Sequence, residues 1–211
     1  KPRVLSEAFH KDIYEKIDKL LDEGVIELSD SPYTSPSVPV VKKDKTVRLC
    51  LDYRLLNEKI KPKFYPLPHS EESLMDLQDA EVFTVLNLKS AYMHISIKQY
   101  NQHKTAFVVP NATYQWTVVP FGLTDAAFSL AYVMNEILRE FKFAKTFYDD
   151  CVLAGKRDDH LSQIAAVMEK FADFGIHVNL PKCQLFKDEV SFNGHVVNTD
   201  GIHAETSNTG R

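Results

Sequence analysis

Three observations predict an α+β fold, a sheet with helices packed on one side. β-Branched and aromatic runs are interspersed with stretches of helical periodicity, no strict strand–helix–strand alternation links them, and there is no internal repeat or low-complexity block. The 211 residues make one large domain or two lobes sharing a core, since a typical domain has roughly 100–200. With 44% hydrophobic and 26% charged residues, a disordered or fibrous chain is excluded. Apolar runs such as Phe107–Pro110 and Cys151–Ala154 are far too short to cross a bilayer as helices. The start at Lys1-Pro2-Arg3, with neither initiator methionine nor leader, reads as an excised fragment, and residues 206–211 read as a disordered tail.

Ile13, Ile17, Leu20 and Leu21 place one apolar stripe on a helix from about Ser6 to Asp22, ended by Gly24. Ser31-Pro32 and Ser35-Pro36 force extended backbone. Ser37–Lys43 and Thr46–Asp52 then read as a hairpin. Pro62, Pro66 and Pro68 make an irregular stretch before a short helix over Ser70–Leu77. Val82–Leu88, His94–Ile97, Thr105–Val109 and Tyr114–Val118 read as strands, and Leu123–Phe141 as a helix. Lys145–Tyr148 and Cys151–Ala154 flank Asp149-Asp150 as a hairpin with acids at its turn. Asp158 or Asp159 is expected to cap a helix whose Leu161, Ile164, Val167, Met168 and Phe171 face inward and which Gly175 closes. Val190–Val197 with Asp200-Gly201 forms the last hairpin.

The formal net charge of −4 does not suggest a nucleic-acid binder, but the distribution does. Between Lys42 and Lys63, eight basic residues stand against three acidic ones, an excess of five able to hold phosphates; a solvated face fits the same charges. Cys50, Cys151 and Cys183 form no CxxC pair, and their odd number argues for reduced thiols and an intracellular compartment, cytoplasmic or nuclear. The eight histidines lack metal-ligand spacing.

Asp149-Asp150 stands out as a candidate for chemistry because of where it sits. Adjacent carboxylates at a hairpin tip, flanked by Phe147, Tyr148, Cys151 and Val152, repel each other in a poorly solvated setting. A hard divalent cation such as Mg²⁺, held by one or two carboxylates plus substrate phosphates, relieves that repulsion; a solvated turn is the other reading of the dipeptide alone.

The order of segments resembles the fingers and palm of the reverse transcriptases of gypsy-type long-terminal-repeat retrotransposons. The resemblance is carried by Ser35-Pro36-Ser37-Val38-Pro39-Val40, by Arg48-Leu49-Cys50-Leu51-Asp52-Tyr53-Arg54-Leu55-Leu56-Asn57 and by Tyr65-Pro66-Leu67-Pro68. It continues through Leu86-Asn87-Leu88-Lys89-Ser90-Ala91-Tyr92, Val119-Pro120-Phe121-Gly122, Phe147-Tyr148-Asp149-Asp150 and Phe192-Asn193-Gly194-His195-Val196-Val197. It spans roughly residues 7 to 203 in family order. The resemblance implies a right hand with an antiparallel sheet, in a domain over 1–205: fingers about 6–81 and 105–122, palm about 82–104 and 123–205. It also implies that the chain ends before any thumb, connection or RNase H domain.

The implied chemistry is two-metal phosphoryl transfer with Mg²⁺ or Mn²⁺ on an RNA/DNA primer–template. Asp149 would bridge the metals and Asp150 would support them. Lys42 and Arg48 would grip the nucleotide's triphosphate, Tyr92 would lie under its sugar and exclude a 2′-hydroxyl, and Phe121 and Gly122 would line its pocket. Lys43 and Arg54 would contact nucleic acid, and Phe192, Gly194 and His195 would position the primer end.

The sequence departs from the family where it matters most. Asn87 stands where the family has an aspartate that supplies the third metal-binding carboxylate, leaving two formal negative charges. Loss of one electrostatic stabiliser typically costs ~10²–10³ in rate. Asp125-Ala126-Ala127-Phe128-Ser129-Leu130 replaces the usual Asn-Ala-Pro-x-x-Phe-Gln, and Phe147 stands where Tyr or Leu is common. Three readings stay open: a domesticated element that binds nucleic acid or a protein partner without polymerising, an active-type polymerase carrying an inactivating Asp-to-Asn change, and a slow enzyme. The departures at Asn87 and at residues 125–130, well separated in the chain, favour the first.

Overall fold

The computed structural model describes residues 9–41, 47–61, 80–192 and 194–204. In chain order its elements are α1 (His10–Asp22), β1 (Ile26–Leu28), β2 (Ser35–Val41), β3 (Val47–Leu51), α2 (Arg54–Asn57), β4 (Val82–Asn87) and α3 (Gln99–Gln102). These are followed by β5 (Phe107–Val109), β6 (Ala112–Trp116), α4 (Ala126–Leu138), β7 (Ala144–Phe147), β8 (Asp150–Gly155) and α5 (Arg157–Asp173). The last four are β9 (Gln184–Lys187), β10 (Glu189–Phe192), β11 (His195–Asn198) and β12 (Gly201–Ala204). The described residues fall into two compact units, 9–61 with 92–126, and 80–91 with 127–204. Residues 92–104, which the sequence reading groups with the palm, lie in the first unit.

In the first unit the apolar stripe of α1 is buried as its spacing requires, with Ile13, Ile17 and Leu20 removed from water. They join Ile26, Tyr53, Phe107, Val109, Tyr114 and Trp116 in one core. Burying an aliphatic or aromatic side chain contributes about 1.5–3 kcal/mol, so this cluster holds the unit together. The Tyr53 hydroxyl donates to the Thr105 carbonyl at 2.8 Å, and burial pushes its pKa far above the ordinary value. The sheet order is β1-β6-β5-β2-β3, antiparallel except where β2 meets β5 in parallel. The β2–β3 hairpin keeps the predicted pairing, from Ser37↔Leu51 to Val41↔Val47.

In the second unit Val82 to Leu86 are all buried, as expected of a central strand covered on both faces. β4 is flanked by β8 and β9 in a four-stranded antiparallel sheet of order β7-β8-β4-β9. Phe83, Val85, Val152 and Ala154 pack with Val190, Phe192 and Val197 of a second sheet, the meander β10-β11-β12.

The structure corrects several sequence expectations. His94–Ile97 is not a strand: a 3₁₀ turn occupies Ala91–His94 after Ser90 takes a left-handed φ of 52°, and only the Ser96↔Val118 bridge remains of the ladder. Neither Asp158 nor Asp159 caps α5. Lys156 precedes the helix in extended backbone, and both acids sit in the first turn, where they oppose the positive end of the helix dipole. Leu161 is 68% exposed and His160 takes the inward position, one residue earlier on the stripe. The last hairpin is a three-stranded meander, because the turn before His195 and Asp200-Gly201 each reverse the chain. Gly24 and Gly175 end their helices with left-handed φ, as expected. All three cysteines are free, Cys151 being buried. Lys42, Lys43, the start of the first helix before residue 9, the helix over Ser70–Leu77 and the tail 206–211 lie outside the described residues.

Candidate active site

The acid-bearing hairpin is built from a two-residue turn. Phe147 pairs with Asp150, so Tyr148 and Asp149 alone connect β7 to β8, and Asp150 is a strand residue. Tyr148 adopts φ = 53°. A side chain in that region costs on the order of 1–3 kcal/mol, which the surroundings must offset. The Tyr148 ring packs edge-on against Phe147 at 4.5 Å, and Phe147 reaches Phe192 at 6.5 Å. The Leu88 N–H donates to the Asp149 carbonyl at 2.7 Å. The backbone of Asp149 is thus held while its carboxylate stands exposed.

On β4, Asn87 is the register partner of Asp150. Its Nδ2–H donates to Asp150 Oδ1 at 2.8 Å, a bond that favours the carboxylate form. Burial acts the other way and dominates, pushing the Asp150 pKa above its ordinary 3.8, with Asp149 raising it further and Lys182 pulling it down. Asn87, Asp149 and Asp150 are therefore brought together as the sequence reading requires.

Hard carboxylate oxygens suit Mg²⁺ or Mn²⁺, and two adjacent aspartates match an ion that takes its remaining ligands from water and phosphates. Among the described residues no three Asp, Glu, His or Cys side chains converge, so the donor set fits one divalent ion and is a carboxylate short for two. Asn87 turns its amide N–H toward Asp150, and its side-chain carbonyl oxygen, being neutral, adds no negative charge for an ion there.

The other predicted residues fall into two groups. In the first unit, Tyr92 meets Phe121 edge-to-face at 5.2 Å, with Tyr92 half-buried and Phe121 47% exposed. Gly122 follows with φ = 96°, which other residues adopt only with strain; a Cβ there would find room, 3.7 Å from the Tyr53 ring, so backbone conformation is what demands glycine. Arg48 is exposed on β3 opposite Val40. Arg54 is also exposed, but its guanidinium is forked onto Asp52 at 2.9 and 2.7 Å, and that bond raises its pKa. A nucleic-acid phosphate would have to compete with Asp52 for it. In the second unit, Phe192 pairs with His195 beside the exposed Gly194 at the end of the meander.

Sequence reasoning missed three supporting residues. Asn57 donates Nδ2–H to the Gly122 carbonyl at 2.8 Å and accepts from the Thr124 N–H at 3.0 Å, pinning the Phe121-Gly122 turn. Lys182 lowers the Asp150 pKa, and the Cys183 thiol meets the Asn87 main chain. Their partners lie tens of residues away, and no local periodicity signals them.

An antiparallel sheet carrying an Asp-Asp hairpin against a polar strand end is the palm arrangement of a polymerase-type fold. The chain belongs to the reverse transcriptase (RNA-dependent DNA polymerase) family, whose model matches residues 40–197. It is 33% identical over 206 residues to the retrovirus-related Pol polyprotein from transposon 297 of Drosophila melanogaster, a match covering 94% of this chain and 20% of that protein. With the transposon Tf2-3 polyprotein of Schizosaccharomyces pombe it shares 32% over 191 residues, 89% of this chain and 14% of the relative. The chain thus spans a fifth or less of these relatives' length, as a reverse-transcriptase-like domain of retrotransposon origin. Among solved structures, the foamy viral protease-reverse transcriptase in complex with RNA/DNA hybrid matches in fold with a TM-score of 0.87 at 24% identity, over 98% of this chain and 28% of that one. The native prototype foamy virus protease-reverse transcriptase gives 0.83 at 26% identity, over 92% and 26%. No described helix is long and apolar enough to cross a membrane.

Proposed function

We propose that this domain is the fingers and palm of a gypsy-type retrotransposon reverse transcriptase whose phosphoryl-transfer centre is impaired, kept in a domesticated role as a binding module for an RNA/DNA primer–template or a protein partner. One observation carries this reading: the residue opposite Asp150 is an amide that donates to it at 2.8 Å, where a third carboxylate would be needed. In the reaction the family name denotes, a primer 3′-hydroxyl attacks the α-phosphate of a nucleoside triphosphate and pyrophosphate leaves. Asp149 and Asp150 would hold the divalent ion, Mg²⁺ or Mn²⁺, which when bound neutralises charge developing on the phosphate oxygens. The Asn87 amide holds the Asp150 carboxyl in place and favours its carboxylate form against the effect of burial. Tyr92 and Phe121, stacked edge-to-face, would line the nucleotide pocket, and Arg48 would supply a permanent cation for the triphosphate.

Primer extension with Mg²⁺ or Mn²⁺, comparing the chain as it stands with Asn87→Asp, tests the proposal. The unmodified chain should extend at least about 10²-fold more slowly than the variant, the loss expected for one missing electrostatic stabiliser. Equal, robust extension by both would overturn it. Primer–template affinity should fall steeply with rising salt, since it rests on neutralised phosphates; a flat salt response would leave the protein-partner role alone standing.

A further inference from the structure

The end of β4 runs past its neighbour. β9 pairs with β4 only at Phe83↔Lys187 and Val85↔Gln184, so Asn87 has no strand beside it on that side. The segment 177–183 takes the strand's place. The Asn179 N–H donates to the Asn87 carbonyl at 2.7 Å, the Asn87 N–H donates to Cys183 Sγ at 3.4 Å, and the Cys183 thiol donates on to the Asn179 carbonyl at 3.4 Å. A bridge between Leu88 and Val178, and the Lys89 N–H donating to the His177 carbonyl at 2.8 Å, extend the same seam. The seam is therefore a backbone ladder with a half-buried thiol in one of its rungs.

We infer that Cys183 is a positioning residue for the acid pair: its thiol holds the β4 main chain at Asn87 in the register from which the Asn87 amide clamps Asp150. The geometry suits sulfur. A thiol is donor and acceptor at once, so it satisfies the Asn87 N–H and the Asn179 carbonyl together, and its long bonds span the gap between strand and turn. An alanine at 183 would leave both groups without this partner and free the strand end to shift. Any shift there is transmitted to the 2.8 Å contact with Asp150, since the Asn87 side chain springs from the same residue. The consequence for cation binding rests on the function proposed above; the positioning of Asn87 does not.

The test is hydrogen exchange and NMR on the metal-free 211-residue chain, followed by Mn²⁺ titration. In Cys183→Ala, the Asn87 backbone amide should exchange roughly five- to tenfold faster and its side-chain Nδ2 resonances should move, because a partly buried N–H has lost its acceptor. Cys183→Ser should recover most of the protection, its hydroxyl donating and accepting in the same place. Cys50→Ala on β3 should change neither signal. Mn²⁺ affinity should fall several-fold in Cys183→Ala and return in Cys183→Ser. Unchanged Asn87 exchange and resonances in Cys183→Ala would overturn the inference, as would equal effects from Cys50→Ala. Should the alanine variant not fold, the serine variant decides: exchange at Asn87 slower than at the segment's other amides supports the clamp, and unprotected exchange refutes it. If the unmodified chain takes up no Mn²⁺, the cation site fails while the exchange data still judge the positioning.

Discussion

Replacing Asn87 by aspartate should turn a stable apo hairpin into one that depends on metal. The amide donates to Asp150 at 2.8 Å, and a charge-assisted bond of that kind contributes about 1.5–3 kcal/mol. Substitution removes it and sets two carboxylates at about the same separation. Their repulsion is about 1.5 kcal/mol in bulk water and about 6 kcal/mol at an effective dielectric constant of 20. Asp150 is half-buried, so the value lies between these limits, and shared protonation of the pair caps it; a net loss of about 2–4 kcal/mol at neutral pH follows. Asp150 already has a raised pKa in the folded state, and the new neighbour raises it further. A carboxyl group with a raised folded pKa contributes stability that is present below its unfolded value and is lost as pH rises through the folded one. The penalty should therefore fade on acidification. Saturating Mn²⁺ at about a hundredfold above its dissociation constant should return about 2.7 kcal/mol to the variant. Urea unfolding with chelator, with Mn²⁺ and across pH reads all three effects. A variant as stable as the original in chelator at neutral pH would refute the reasoning, because the Asn87–Asp150 contact would then be carrying no energy.

Three further outcomes are expected. Gly155→Ala drives a Cβ into the side-chain amide of Gln163, whose Oε1 accepts from His160 Nδ1, and should cost about 1–3 kcal/mol as that bond is displaced; in a Gln163→Ala background the cost should largely vanish, and additive losses in that cycle would refute the coupling. His160 is buried between Thr84 Oγ1 at 2.9 Å and Gln163, and burial lowers its pKa below 6.5. Only the unfolded chain takes up that proton just below 6.5, so the stability tied to His160 should hold above that pH and be lost as pH falls toward the folded value; an NMR titration placing His160 at or above 6.5 would contradict this. Asn57→Ala should lower the thermal midpoint by a few degrees, through loss of about 1 kcal/mol or more of bonding to the Phe121-Gly122 turn, and an unchanged midpoint would show that the turn holds itself.

What sequence reasoning read well was local and periodic. The stripe Ile13, Ile17, Leu20, the buried run of β4 and the glycines that end α1 and α5 each announce themselves within one or two turns of chain. It failed where a neighbour overrode propensity. His94–Ile97 has the composition of a strand, yet a left-handed Ser90 and a 3₁₀ turn take the chain out of a ladder. His160 displaces Leu161 from the inner face because Thr84 and Gln163 satisfy both of its ring nitrogens, which no reading of hydropathy anticipates.

By itself the order of motifs determined the family and named the acids, because side-chain chemistry and spacing are properties of the chain. It also marked position 87 as the departure from the family pattern. Only the folded arrangement decided what that departure does. An asparagine can accept, donate or face solvent, and pairing with Asp150 in the β4–β8 register turned its donor toward the carboxylate. Tertiary structure likewise set the Cys183 thiol against the Asn87 main chain. Directional bonds depend on orientation across strands distant in sequence, and that orientation exists only once the chain has closed on itself.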